Sequence, residues 1–127
     1  MAKKVLKVPV ILQMENLECG AASLAMILAY YEKWVPLEKV REACDVSRDG
    51  SNAANIARAA MAYGMEVRAF RCEPSVLQKE SLIPCIIHWE FNHFVVLDGF
   101  HKGKAVLNDP AKGVREVSME EFDKAFK

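Results

Sequence analysis

The sequence has 127 residues, 52% of them hydrophobic and 27% charged, a balance that suits one compact domain spanning residues 1–127 and excludes a disordered segment. Seventeen basic and seventeen acidic residues cancel, so no overall field recruits nucleic acid or an anionic membrane. The longest apolar run, Leu24 to Tyr31, is far shorter than the about 18–20 residues a membrane helix needs.

The opening ten residues carry a small basic cluster, Lys3, Lys4 and Lys7, and lack the apolar core and cleavage site of a signal peptide. A soluble domain in a reducing compartment is expected. The pattern then changes once, near Gly64. Before it, the residues read as helices. The first runs from about Cys19 to Glu32, and Ala21 through Ala29 leave it almost no polar face, which predicts burial on most sides. Pro36 suits a helix start, with Leu37, Val40 and Cys44 marking one face of a short second helix. Ser51 or Asn52 can cap a third helix carrying Ile56, Ala59, Ala60 and Tyr63, and Gly64 stops it.

After Gly64 the pattern is that of strands. Met65 to Ala69 alternates as a half-buried strand does. Leu82 to Trp89, His93 to Phe100 and Lys104 to Asp109 read as further strands, with Lys102-Gly103 as a hairpin turn between the last two. Val114 to Val117 adds a short strand, and Ser118 to Glu121 fits a capping box for a terminal helix through Phe122 and Phe126. Helices first and an antiparallel sheet second predict an α+β fold.

Four cysteines stand at 19, 44, 72 and 85. None forms a C-x-x-C pair, which argues against zinc and thioredoxin-type sites, and in a reducing compartment four free thiols are expected. Three read as small core residues. Cys19 differs, because it lies where a polar loop, Met14 to Glu18, meets the first turn of a buried helix, where free N–H groups and the helix dipole favour a thiolate.

A thiol nucleophile needs a base and a group that orients the base. His93 opens a strongly apolar strand and Asp109 closes its hairpin partner, held extended by Pro110; His88 and His101 have no nearby carboxylate to recommend them. A two-residue turn would leave His93 and Asp109 about three positions apart, roughly 10 Å along the strands, so a wider turn or a bulge has to close the gap. Acyl transfer also needs donors for an oxyanion. The Cys19 backbone N–H is one, and the side-chain amide of Gln13 can be a second.

Gln13 to Ala22, running into Leu24 to Tyr31, resembles the N-terminal peptidase domain of peptidase-containing ABC exporters, which are bacteriocin-processing, papain-like cysteine peptidases. His93 to Leu97 and Asn108-Asp109-Pro110 are similar to that family's His and Asp motifs, in order. The resemblance spans roughly residues 8 to 126. It implies a papain-like fold, with Cys19 attacking the carbonyl after a Gly-Gly or Gly-Ala pair that ends a leader peptide. It further implies that His93 protonates the leaving amine, Asp109 orients His93, and Gln13 completes the oxyanion hole.

No cofactor is implied for that peptidase activity, ATP being used by separate domains. The implied partners are an amphipathic leader helix and the transmembrane and nucleotide-binding domains of an exporter, at the cytoplasmic face of a bacterial membrane. Many members have Asp and Cys where this chain has Glu18 and Ser23, and the wording from Glu18 to Tyr31 resembles exporters of lanthipeptides with nitrile-hydratase-like or Nif11-like leaders. The alternatives are a non-catalytic leader-docking domain, which would lack the nucleophile, and a transglutaminase or acyltransferase, which shares the Cys–His–Asp set. A metal site built from the four Cys and three His ranks last.

Overall fold

The computed structural model describes residues 5–45, 52–67, 83–90 and 93–126. Cys72, Leu82 and the end of the strand expected at 65–69 lie outside them.

A short 3-10 turn, Asn16–Glu18, leads into helix α1, Cys19–Tyr30. Every residue of α1 from Cys19 to Ala29 is buried, as its nearly uninterrupted apolar sequence requires. The helix ends two residues before the expected Glu32. Glu32 takes a left-handed φ of 68°, its N–H reaches the Ala29 carbonyl, and the Lys33 N–H reaches that of Leu28 at 2.8 Å. This pair of backward hydrogen bonds satisfies the last open carbonyls of the helix.

Helix α2, Leu37–Ala43, starts directly after Pro36 and buries Val40, with Cys44 beside it in the same apolar cluster. Helix α3, Ala53–Ala62, is capped by Asn52, whose side-chain oxygen accepts from the Asn55 N–H at 2.8 Å, and it stops before Gly64 at φ +86°. Met65 to Val67 is not a strand. The Met65 N–H returns to the Ala60 carbonyl at 3.0 Å, and Met65 and Val67 pack against the helical core. The alternation there serves packing on helices rather than pairing with a strand.

The sheet is an antiparallel meander in the order β1-β2-β3-β4: β1 Cys85–Trp89, β2 His93–His101, β3 Lys104–Asp109 and β4 Gly113–Ser118. Lys102 and Gly103, at φ 50° and 77°, turn β2 into β3 with both central residues left-handed, the turn whose twist matches a tight hairpin. Helix α4, Met119–Ala125, follows at once, its Ser118 cap accepting from the Glu121 N–H at 3.1 Å. Phe126, expected inside this helix, instead leaves it and bridges to Trp89.

Two apolar layers flank the sheet. Phe122 of α4 packs with Ile87, Trp89, Val95 and Leu97 on one side, while Met26 and Ile27 of α1 pack with Val96 on the other. The buried helix is thereby pressed against β2, the strand that begins at His93.

Candidate active site

Cys19 is the first residue of α1 and is only 6% exposed. Burial pushes its thiol up, but a hydrogen bond to the His93 side chain and the N–H groups of Phe94 and Gly20 outweigh this, so its pKa is lowered from the ordinary 9.0. Two of those groups come from one end of β2, which Ser23 ties to α1 through a 3.3 Å hydrogen bond from its hydroxyl to the Phe94 carbonyl. Gly20 lets α3 come close: a Cβ there would lie 2.7 Å from Ile56 Cδ1 and 3.5 Å from the Phe94 ring.

His93 Nε2 lies 2.7 Å from Asp109 Oδ1. The register explains how they meet. From His101 opposite Lys104 to Gly99 opposite Val106 the ladder is regular; it then shifts by one residue at Asp98, so that Leu97 faces Leu107 and Val96 faces Asn108. One more step sets Asp109 opposite Val95, two residues from His93. Without the shift the separation would be three, an odd number that puts the two side chains on opposite faces. The bulge therefore does more than shorten the gap: it brings imidazole and carboxylate to the same face.

Asp109 is 2% exposed. Burial alone would raise its pKa, yet the His93 hydrogen bond, the Ala111 N–H at 2.8 Å and the Arg115 guanidinium hold it below the ordinary 3.8. His93 in turn is raised from 6.5 to about 9, chiefly by Asp109 and then by Cys19, against its own burial. Thiol, imidazole and carboxylate form one connected chain in which a thiolate–imidazolium pair is favoured.

Gln13 sits in the segment before α1, where its N–H donates to the Pro110 carbonyl at 2.8 Å. It is thus beside the end of β3, next in sequence to Asp109. Its side-chain Oε1 is buried and has no hydrogen-bond partner among the described residues, so that end of the amide is not committed to the protein's own network.

The other candidates are elsewhere. His88 packs edge-on against Phe94 at 5.2 Å between ring centroids. His101 does have a carboxylate within reach, contrary to expectation: Glu116 Oε2 lies 3.8 Å from its Nδ1, reached across β3. Both groups are half exposed, a surface pair of small energetic worth. Cys44 is fully buried, which pushes its thiol up to about 11. Beyond these groups, Trp34 and Met61 are exposed, while Tyr63 and Met65 pack against the helical core.

Four residues that support the site were given no role in the sequence reading: Glu18 and Asn108, which it quoted only as motif positions, and Arg41 and Arg115, which it did not name. No periodicity or spacing in the sequence singles them out.

Helices followed by an antiparallel sheet, with the helix that starts at Cys19 laid against the strand that starts at His93, is the arrangement of a papain-like peptidase domain. The model of the Peptidase C39 family matches residues 7–127, and the chain belongs to that family. It is 42% identical over 120 residues, 94% of its length, to the colicin V secretion/processing ATP-binding protein CvaB of Escherichia coli, of which it spans 17%. It is also similar to the crystal structure of a double glycine motif protease from an AMS/PCAT transporter in complex with the leader peptide. That likeness has 64% identity and a TM-score of 0.94, covering 97% of this chain and 88% of the other. The peptidase domain of Streptococcus ComA shares the fold with a TM-score of 0.89, covering 95% of this chain and 93% of that one at 24% identity.

Proposed function

We propose that this domain is a cysteine endopeptidase that removes the leader from a ribosomally made bacteriocin-type precursor after a Gly-Gly or Gly-Ala pair, coupled to export. The observation that supports this most is the connected chain from the Cys19 thiol through His93 to the buried Asp109 carboxylate, whose imidazole–carboxylate link is 2.7 Å long. With Nε2 turned to Asp109, Nδ1 is the ring nitrogen left for the thiol. The Cys19 thiolate adds to the carbonyl carbon of the last leader residue, and the oxyanion is received by the Cys19 N–H and the Gln13 amide. His93 gives its proton to the leaving amine as the C–N bond breaks, and then takes one from the water that hydrolyses the thioester. Asp109 orients the ring and stays ionised throughout. The reading needs no cofactor.

Since the chain spans a small part of its long relatives, we further propose that it is the N-terminal part of an ABC exporter. Transmembrane and ATP-using domains would follow it at the cytoplasmic face of the membrane. Among the described residues no helix is long and apolar enough to cross a membrane. The leader would bind as an amphipathic helix by its apolar face, to which the exposed Trp34 and Met61 offer surface. Lanthipeptide-type cargo with a nitrile-hydratase-like leader is the finer form of this reading.

Cys19→Ala should abolish cleavage of a leader peptide while calorimetry still detects its binding, and Cys44→Ala should cleave, with some stability lost to a cavity. Mass spectrometry of the products distinguishes a new N-terminus from the acyl or isopeptide adduct of a transferase. Full cleavage by Cys19→Ala would end the proposal.

A further inference from the structure

Gln13 belongs to an extended segment outside helix and sheet, flanked by the exposed Leu12 and Met14. Core packing of this segment, by Val8 and Ile11, ends two residues short of Gln13, yet a donor for an oxyanion has to be placed to within about 0.5 Å. Three fixed points hold it. Upstream, the buried Asn108 donates from its side-chain nitrogen to the Val8 carbonyl at 3.0 Å and to the Pro9 carbonyl at 3.3 Å. In the middle, the Gln13 N–H meets the Pro110 carbonyl. Downstream stands Glu18.

The Glu18 side chain is 5% exposed. Its Oε1 accepts the backbone N–H groups of Met14 at 2.7 Å and Glu15 at 3.0 Å, the two residues that follow Gln13. Its Oε2 accepts from Arg41 Nη1 at 3.0 Å. A buried carboxylate next in sequence to Cys19 would, alone, oppose the thiolate; the Arg41 guanidinium from α2 cancels that charge and fixes the carboxylate's orientation, while its other nitrogen lies 3.4 Å from Glu15 Oε2. A charged acceptor binds amide N–H groups about twice as strongly as a neutral one, which suits a stretch where Leu12 and Met14, on either side of Gln13, are exposed.

We propose that Glu18, locked by Arg41, is a positioning residue that sets the Gln13 amide over Cys19. The proposal rests on Gln13 acting as oxyanion donor, and a double-mutant cycle separates the two ideas. Steady-state and single-turnover cleavage of a synthetic leader peptide are measured for Gln13→Ala, Glu18→Gln, Arg41→Gln and the two combinations with Gln13→Ala. Thermal melting is recorded in parallel.

Acting through Gln13, Glu18→Gln should lower kcat by no more than the about 10²–10³-fold that loss of one oxyanion donor costs, with KM within about twofold. In the Gln13→Ala background it should cost almost nothing, because the group it positions is gone. Glu18→Asp, which keeps the charge, should recover part of the rate. Arg41→Gln alters a side chain 35% exposed and serves if Glu18→Gln melts too low to assay; it should show the same dependence on Gln13. Losses that multiply in the double variants, or a wild-type kcat in Glu18→Gln, would overturn the positioning role. A wild-type rate in Gln13→Ala would instead remove the oxyanion assignment beneath it.

Discussion

Replacing Asp109 by Asn removes one charge from the chain Cys19–His93–Asp109 and leaves its shape. The side-chain oxygen can still accept from the Ala111 N–H, but the imidazolium loses the anion 2.7 Å away. His93 is held at about 9 against an ordinary 6.5, with Asp109 the largest cause; a difference of that size corresponds to roughly 3 kcal/mol between the two protonation states. Cys19 also holds the imidazolium, so Asp109 accounts for the larger part of this difference rather than all of it, and with His93 only 25% exposed solvent screens that part little. In the native protein the pair's contribution to stability is complete above the ordinary 3.8 of Asp109 and below the ordinary 6.5 of His93. It fades as pH rises through about 9, where the imidazolium of the folded state deprotonates, and as pH falls through the depressed value of the carboxylate. Asp109→Asn should therefore be destabilised by on the order of 2 kcal/mol at pH 5–6, by progressively less as pH rises from 6.5 towards about 9, and hardly at all above that.

The same change acts on reactivity. The native alkaline limb, in cleavage and in alkylation of Cys19 by iodoacetamide, reports the coupled thiol–imidazole pair, and in Asp109→Asn the imidazolium should be lost nearer neutrality. Peptide mass spectrometry distinguishes the Cys19 adduct from the fully buried Cys44, whose thiol is pushed up to about 11 and should remain unmodified. An alkaline limb unmoved by the substitution would show that Asp109 does not sustain the charge on His93, and the electrostatic argument would fall.

Gln13→Ala should lower turnover by about 10²–10³-fold while leaving leader binding intact, measured by single-turnover cleavage beside calorimetry; a change confined to KM would contradict the assignment. Gly20→Ala forces a Cβ to within 2.7 Å of Ile56 Cδ1 and should cost about 1–3 kcal/mol in thermal or denaturant unfolding, and Ile56→Val in the same chain, which lacks that methyl, should return most of the loss.

The parts of the fold that could be read from the sequence are those where a local rule and the tertiary structure agree. Asn52, Pro36 and Ser118 start helices because each meets a need of the helix end itself, and Lys102-Gly103 turns a hairpin because both residues tolerate positive φ. Met65 to Val67 failed for the complementary reason: alternation records which side chains are buried, not what buries them, and here the burying surface is helical. At the candidate site, Cys19, His93 and Asp109 were singled out by motif and order, and the structure brings them together through the bulge at Asp98, which no residue type announces. Glu18 was noted only as a departure from the family's Asp, since its two amide partners and Arg41 come together only through the loop's path and the placement of α2.

Cys19 opens a helix buried from its first residue to Ala29, and such elements open only when the whole domain does. If Cys19 is the nucleophile, as proposed, it consequently has no partly unfolded form in which it stays reactive. A half-made chain, still on the ribosome, has α1 but neither β2 to supply the imidazole nor β3 to supply the carboxylate. On the proposed mechanism the thiol would therefore become a nucleophile only as β2 and β3 close on α1, and cleavage competence would arrive with the folding of the sheet.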